Sequence, residues 1–235
     1  MILRRHVELS DGSSRMVPAD APRPALSRAE SIVKDRQVRE SDVRTAIATR
    51  VTSDGGIRRV IPELALCQAA ARIDVAVVEP ARLVGWEIKT ETDGLRRLPR
   101  QEEVYSRVFD RVWLAVHAKH LPTALDLVPD WWGAVRVEEH SAGCRLVQVR
   151  PSRLNRSIDL HALTCLLWRD EVLGELNELG LADGLARAPK RELWDALASA
   201  APRHVSPTQL RRRIRVRLIS RRGWRPDEQQ TSDDD

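Results

Sequence analysis

The chain has 235 residues, with 39 Lys and Arg against 34 Asp and Glu, a formal charge of +5 and an isoelectric point near 9.6. That length suits one main domain with a helical appendage and excludes several independent cores. No run approaches the roughly 20 apolar residues of a membrane span, and residues 1–20 lack the apolar stretch of a signal peptide, so a cytoplasmic protein without membrane contact is expected. Cys67, Cys144 and Cys165 have no paired spacing, which argues against a disulfide framework or a zinc site. The basic excess fits a polyanionic partner, because cations that neutralise phosphates gain affinity by releasing counterions. Nearly all of it is Arg; Lys occurs only at Lys34, Lys89, Lys119 and Lys190, which singles out the lysines.

Residues 1–30 are rich in Ser, Asp and Pro and show neither helical nor strand period, so they are expected to be a disordered lead. A first helix follows a cap at Ser41 or Asp42, with Val43, Ile47 and Val51 at helical spacing and Asp54-Gly55-Gly56 as its stop. Three strand-like runs, 58–66, 72–78 and 83–90, come next, then a helix opened by Pro99 and a buried strand over 111–118. The order is αβββαβ. A loop and a strand pair are expected over 129–137 and 144–149, with Trp131 and Trp132 packed. The remainder reads as helices over 159–179, 191–198 and 208–222. The resulting division is a lead (1–30), an α+β core with a mixed sheet (31–155), a helical C-terminal subdomain (156–225) and an acidic disordered tail (226–235).

Side chains alternate along a strand. In 72–78 this places Ile73, Val75 and Val77 inward and Asp74 opposite them; in 85–89 it places Trp86 and Ile88 inward, with Glu87 and Lys89 outward together. A hairpin centred on Glu79-Pro80-Ala81-Arg82 sets Glu79 opposite Arg82 and therefore Asp74 opposite Glu87. Directly opposed carboxylates, with Cβ atoms about 5 Å apart, suit a shared divalent cation. Pro at the turn disfavours the primed two-residue types, so a four-residue loop is expected. Lys89 beside Glu87 supplies an ammonium for an attacking water or for charge developing on a phosphate.

A strand Asp, a strand Glu-x-Lys after a hairpin and a following helix carrying Gln, in αβββαβ order, resemble the PD-(D/E)xK nuclease core, a restriction-endonuclease-like fold. Residue 73 is Ile, so the Pro of that motif is absent. The stretch from Asp42 to Gly133, with Pro62-Glu63-Leu64, Arg72-Ile73-Asp74, Glu87-Ile88-Lys89, Asp93, Arg97-Leu98, Gln101, Tyr105 and Trp132-Gly133, is also similar to an uncharacterised bacterial nuclease-like family, as is Leu166-Leu167-Trp168-Arg169. The resemblance implies a nuclease with Mg²⁺ (or Mn²⁺) on Asp74 and Glu87, Glu63 as a further ligand, Lys89 assisting the water and Gln101 in support. The alternative is an inactive relative acting as a nucleic-acid or protein-binding module.

Gln101 and Tyr105 share one helix face, with Arg97 a turn earlier, so Arg97 and Tyr105 are candidate nucleic-acid contacts. Asp93 and Arg97 are a candidate local ion pair. Arg211, Arg212 and Arg215, on a helix whose apolar stripe is Leu210, Ile214 and Leu218, form a cationic face able to follow a DNA backbone. A partner protein or a second copy of the chain would complete such an assembly. No glycine-rich phosphate loop is present, and the six histidines show no metal or triad spacing.

Overall fold

A computed structural model describes two short strands at 4–8 and 14–18 and residues 37–53, 55–141 and 143–224. The chain divides into two units, residues 1–36 and 37–235. In the first, β1 (Arg4–Glu8) and β2 (Ser14–Pro18) pair antiparallel with His6 opposite Met16. The sequence reading gives no element there; a two-strand ribbon pairs through main-chain groups and needs no apolar period. The rest of the lead, and residues 225–235 with the expected disordered tail, lie outside the described residues.

The second unit begins with α1 (Glu40–Thr52), followed by β3 (Arg59–Leu66), β4 (Ala71–Val78), β5 (Leu83–Lys89), α2 (Leu98–Val108) and β6 (Arg111–His117), the αβββαβ order expected. A single 3-10 turn and α3 (Leu121–Asp126) lead to β7 (Gly133–His140) and β8 (Gly143–Arg150). Helices α4 (Leu160–Thr164), α5 (Arg169–Glu178), α6 (Lys190–Ser199) and α7 (Pro207–Ser220) complete it. The α1 cap lies earlier than expected: Arg39 is the cap residue, and its N–H donates to the Asp42 carboxylate at 3.1 Å. The expected helix over 159–179 is two helices. At the break, the Leu166 carbonyl accepts from Arg221 at 2.8 Å and the Leu167 carbonyl from Trp194 Nε1 at 3.1 Å, so groups remote in sequence satisfy the broken ladder.

The six strands form one mixed sheet in sequential order, antiparallel from β3 to β5, parallel from β5 to β7, and antiparallel at β8. Its central strands β4 to β7 are largely buried on both faces, as parallel pairs require, while β8 at the edge is partly exposed. On one face, Val43 and Ile47 of α1 pack on Val75, Val77, Trp86 and Ile88. On the other, Tyr105 and Phe109 of α2 share a single apolar cluster with Ala76, Val78 and Leu114, and with Leu163, Leu176, Leu197, Leu210 and Ile214 of the C-terminal helices. Those helices are therefore a third layer on the sheet, not a satellite with its own core. Trp132 is fully buried and stacks on Tyr105 at 6.0 Å, and Trp131 packs beside it.

The basic stripe of α7 is largely spent inside the protein. Asp110, buried before β6, accepts from Arg211, from Arg215 Nη1 at 3.3 Å and from the Leu83 N–H at 2.7 Å. Arg213 and Arg217 pair with Glu175 and Glu178, and Arg221 pairs with Glu171. Arg211 and Arg215, expected on DNA, are thus structural cations, since a buried carboxylate demands its counter-charge. Arg212 stays exposed.

Candidate functional site

The pairing of β4 with β5 follows the expected register, Val75 opposite Trp86 and Val78 opposite Leu83. Reciprocal Glu79–Arg82 main-chain bonds of 2.9 and 3.3 Å close the turn, and the strands end at Val78 and resume at Leu83, leaving Glu79–Arg82 as the four-residue loop expected. The ladder stops at Val75–Trp86, one pair short of Asp74–Glu87. There the Ile88 N–H donates at 2.6 Å to an oxygen of the Asp74 carboxylate, which takes the place of a main-chain acceptor.

The β3–β4 ladder skips one position, Glu63 opposite Asp74. Glu63 has φ +51°, a left-handed backbone that a non-glycine residue adopts only when its surroundings hold it there. The strand alternation turns over at this point. Ile61, Leu64 and Leu66 face one core, and Ile73 joins Ala76 and Val78 there instead of Val75 and Val77. The inward set expected for β4 is corrected accordingly.

The interruption brings Glu63 and Asp74 together with Glu40 from the first turn of α1, one carboxylate oxygen of each lying within 4.8 Å of the others. Glu87 does not complete that set. Arg44, one turn after Glu40, holds two of its members, bonding Glu40 Oε1 at 2.5 Å and pairing with Glu63. Burial, and then the nearby Glu87 carboxylate, push the Asp74 carboxyl up to about 7; the Ile88 N–H and Lys89 act in the opposite direction.

Glu87 and Lys89, expected on a wet face, are only 1% and 3% exposed because α2 covers them. Lys89 Nζ donates to Glu87 Oε1 at 2.5 Å and to Gln101 Oε1 at 3.1 Å. Gln101 Nε2 donates to the same Glu87 oxygen at 2.7 Å, and the Tyr105 hydroxyl lies 2.7 Å from Glu87 Oε2. An ammonium has three N–H donors, and the third of Lys89 has no acceptor among the described residues. Tyr105, expected as a nucleic-acid contact, is fully buried; it clamps Glu87, and its burial beside that carboxylate raises its own pKa. Asp93 accepts from Thr90 N and Oγ1, both at 2.7 Å, and not from Arg97. Arg96, Arg97 and Arg100 are exposed at the start of α2 without ion pairs among the described residues.

Glu40 and Arg44 are not among the site residues expected from sequence. The cap expected at Ser41 or Asp42 leaves Glu40 outside the helix, whereas Glu40 followed by Arg44 at four-residue spacing is the signal that finds both.

The raised Asp74 pKa sets a pH dependence in metal-free protein. The folded carboxyl keeps its proton up to about pH 7, while an ordinary Asp ionises near 3.8. Its stabilising contribution is fully present below that lower value and is lost as pH rises through the upper one. Asp74→Asn is expected to shrink the fall in stability between those limits by up to about 4 kcal/mol, read by urea unfolding in EDTA at acid, intermediate and alkaline pH. An unchanged profile contradicts the assignment.

Fold and site together define an α+β protein whose mixed sheet carries clustered carboxylates and a buried lysine on adjacent strands. The chain belongs to the family of bacteriophage P4 protein cII, whose model matches residues 33–225 and so spans every site residue named above. Protein cII of Enterobacteria phage P4 is 22% identical over 164 residues, a stretch covering 69% of this chain and 61% of the phage protein. The match therefore leaves over a third of that relative uncovered. No solved structure gives a significant match. No helix among the described residues is long and apolar enough to cross a membrane.

Proposed function

We propose that the protein is a divalent-cation-dependent nuclease of the PD-(D/E)xK type, hydrolysing phosphodiester bonds in DNA. The observation that carries this reading is the ladder interruption: the two residues skipped, Glu63 and Asp74, are both acidic, converge with Glu40, and adjoin the Glu87–Lys89 pair. A strained backbone that re-aims a carboxylate is the kind of feature retained at functional sites.

The donor set fits Mg²⁺ or Mn²⁺, hard cations that take carboxylate oxygens; Asp74, Glu63 and Glu40 would hold the ion. When bound, such an ion polarises the phosphate and makes water more acidic. Asp74, left partly protonated by its surroundings, would release that proton to solvent on taking up the cation. Lys89 presents its unused N–H to the water or to the phosphoryl oxygen as charge develops. Glu87 and Gln101 hold the Lys89 ammonium in place and Tyr105 holds Glu87, so Glu87 acts here through the lysine. The exposed Arg97, flanked by Arg96 and Arg100, supplies phosphate contacts that position the strand without reading bases.

One observation favours the second reading, a catalytically inactive binding module. Arg44 already bonds Glu40 and Glu63 and neutralises part of the cluster. If it keeps both in the presence of cation, no metal enters.

The experiment is incubation of the protein with supercoiled plasmid and with single-stranded DNA in Mg²⁺, Mn²⁺ or EDTA, beside Asp74→Ala and Lys89→Ala. Metal-dependent cutting that both substitutions abolish is expected. Salt-sensitive DNA binding without cutting would replace the nuclease with the binding module.

A further inference from the structure

A cavity of about 540 Å³ opens on the α1 face of the sheet, among Val77, Val84, Trp86 and Trp113. Residues 86 and 87 point to opposite faces of β5, so this cavity and the Glu87–Lys89 pair lie on different sides of the sheet. Along α1, Glu40 belongs to the acidic cluster and Arg50 to the cavity wall, about 15 Å of helix apart.

The aromatic part of the wall is unusually flat. Trp86 and Trp113, cross-strand neighbours, stack with centroids 5.3 Å apart and planes 12° from parallel. Trp113 leans over the next strand, where residue 133 is glycine; a Cβ there would sit 2.4 Å from the indole, so only glycine leaves it room. Arg50 stands over the Trp113 ring at 5.8 Å, and the indole remains partly exposed.

The charge around this wall is unbalanced. Four guanidiniums, those of Arg50, Arg58, Arg82 and Arg111, line the cavity against one carboxylate, Glu79. Glu79 engages Arg82 at 2.6 Å and Arg58 at 3.8 Å. Arg50 and Arg111 have no carboxylate partner among the described residues; Arg50 lies over Trp113 and reaches the Leu146 carbonyl, and Arg111 donates to Ser152. Guanidiniums grouped without anions are poised for phosphate, and an indole face is a stacking platform for a flat ring. A small acidic ligand would use the first feature and waste the second. A nucleotide uses both, and the cavity has the size of an ordinary small-ligand pocket.

We propose that this cavity binds a nucleotide, with the base against Trp113 and phosphate oxygens on Arg50 and its neighbouring guanidiniums. The site is separate from the acidic cluster and does not rest on the nuclease reading. The nucleotide comes either free in solution or as one unit of a single strand, since both present the same ring and phosphate.

Calorimetric titration of the full chain in EDTA tests it, with ATP, a ten-nucleotide oligothymidine and inorganic phosphate as probes. EDTA keeps the acidic cluster metal-free and prevents cleavage. Saturable binding of ATP assigns a free nucleotide; binding of the oligonucleotide alone assigns a strand. In either case, Arg50→Gln with Arg82→Gln is expected to weaken binding at least about tenfold, the scale of one charge-assisted hydrogen bond. Circular dichroism checks that the fold is intact, and Arg145→Gln, which removes an exposed cation outside the cavity, is expected to bind like the parent. Three results would overturn the proposal: no binding of either nucleotide probe, affinity unchanged in the double variant, or inorganic phosphate binding as tightly as ATP.

Discussion

Glu87→Gln is expected to leave the protein folded and to lower metal-dependent cleavage about a thousandfold, the scale of losing one preorganised electrostatic contact in a water-poor site. The amide fits the existing network. Its oxygen accepts from Lys89 and Gln101, and its NH₂ meets the Tyr105 hydroxyl, which turns its proton to the Arg72 carbonyl 2.7 Å away. What the variant removes is charge. The Asp74 pKa, raised first by burial and then by the Glu87 carboxylate, is expected to fall from about 7 toward the ordinary Asp range. Carboxyl carbon NMR titration reads this directly. An unmoved Asp74 titration would uncouple the two carboxylates, and undiminished cleavage would move the chemistry elsewhere.

Asp110→Ala is expected to cost about 3–5 kcal/mol of stability, the range for removing one partner of a buried ion pair. The substitution leaves Arg215, 6% exposed, without its anion and the Leu83 N–H without its acceptor. It also releases Arg211, so at that end of the helix α7 is held by Leu210, Ile214 and Leu218, while Arg213 and Arg217 keep Glu175 and Glu178. Urea unfolding measures the loss, and because the pairs are buried, added salt should change it little. A loss below about 1 kcal/mol would show that apolar packing docks the helix and that the arginines are available to other partners.

How much of this was legible in the sequence depends on which forces are local. The αβββαβ order follows from apolar period and turn residues, and the β4–β5 register follows from the position of its hairpin turn. The strand Asp and Glu-x-Lys stand out because their spacing alone puts them near one another. The turning over of β4 at Asp74 is not legible, because it depends on the left-handed backbone of Glu63, which Glu has no intrinsic tendency to adopt. Burial of Glu87 and Lys89 is hidden for a similar reason: alternation says which side they point to, and only α2 decides that the side is covered. The same limit explains α7. A row of arginines looks free until Asp110, Glu171, Glu175 and Glu178 are brought to it from distant parts of the chain. In α3, six residues are too few to show a period.

On the proposed reading, Asp74, Glu63 and Glu40 hold a divalent cation close to the buried Lys89. Calorimetric titration of Mn²⁺ into the protein without nucleic acid, at alkaline and at mildly acid pH, tests it most directly. One saturable site is expected, weaker at the lower pH because the cation must displace the Asp74 proton, and absent in Asp74→Asn. Equal Mn²⁺ binding by the parent and Asp74→Asn, or no binding by the parent, would contradict the account.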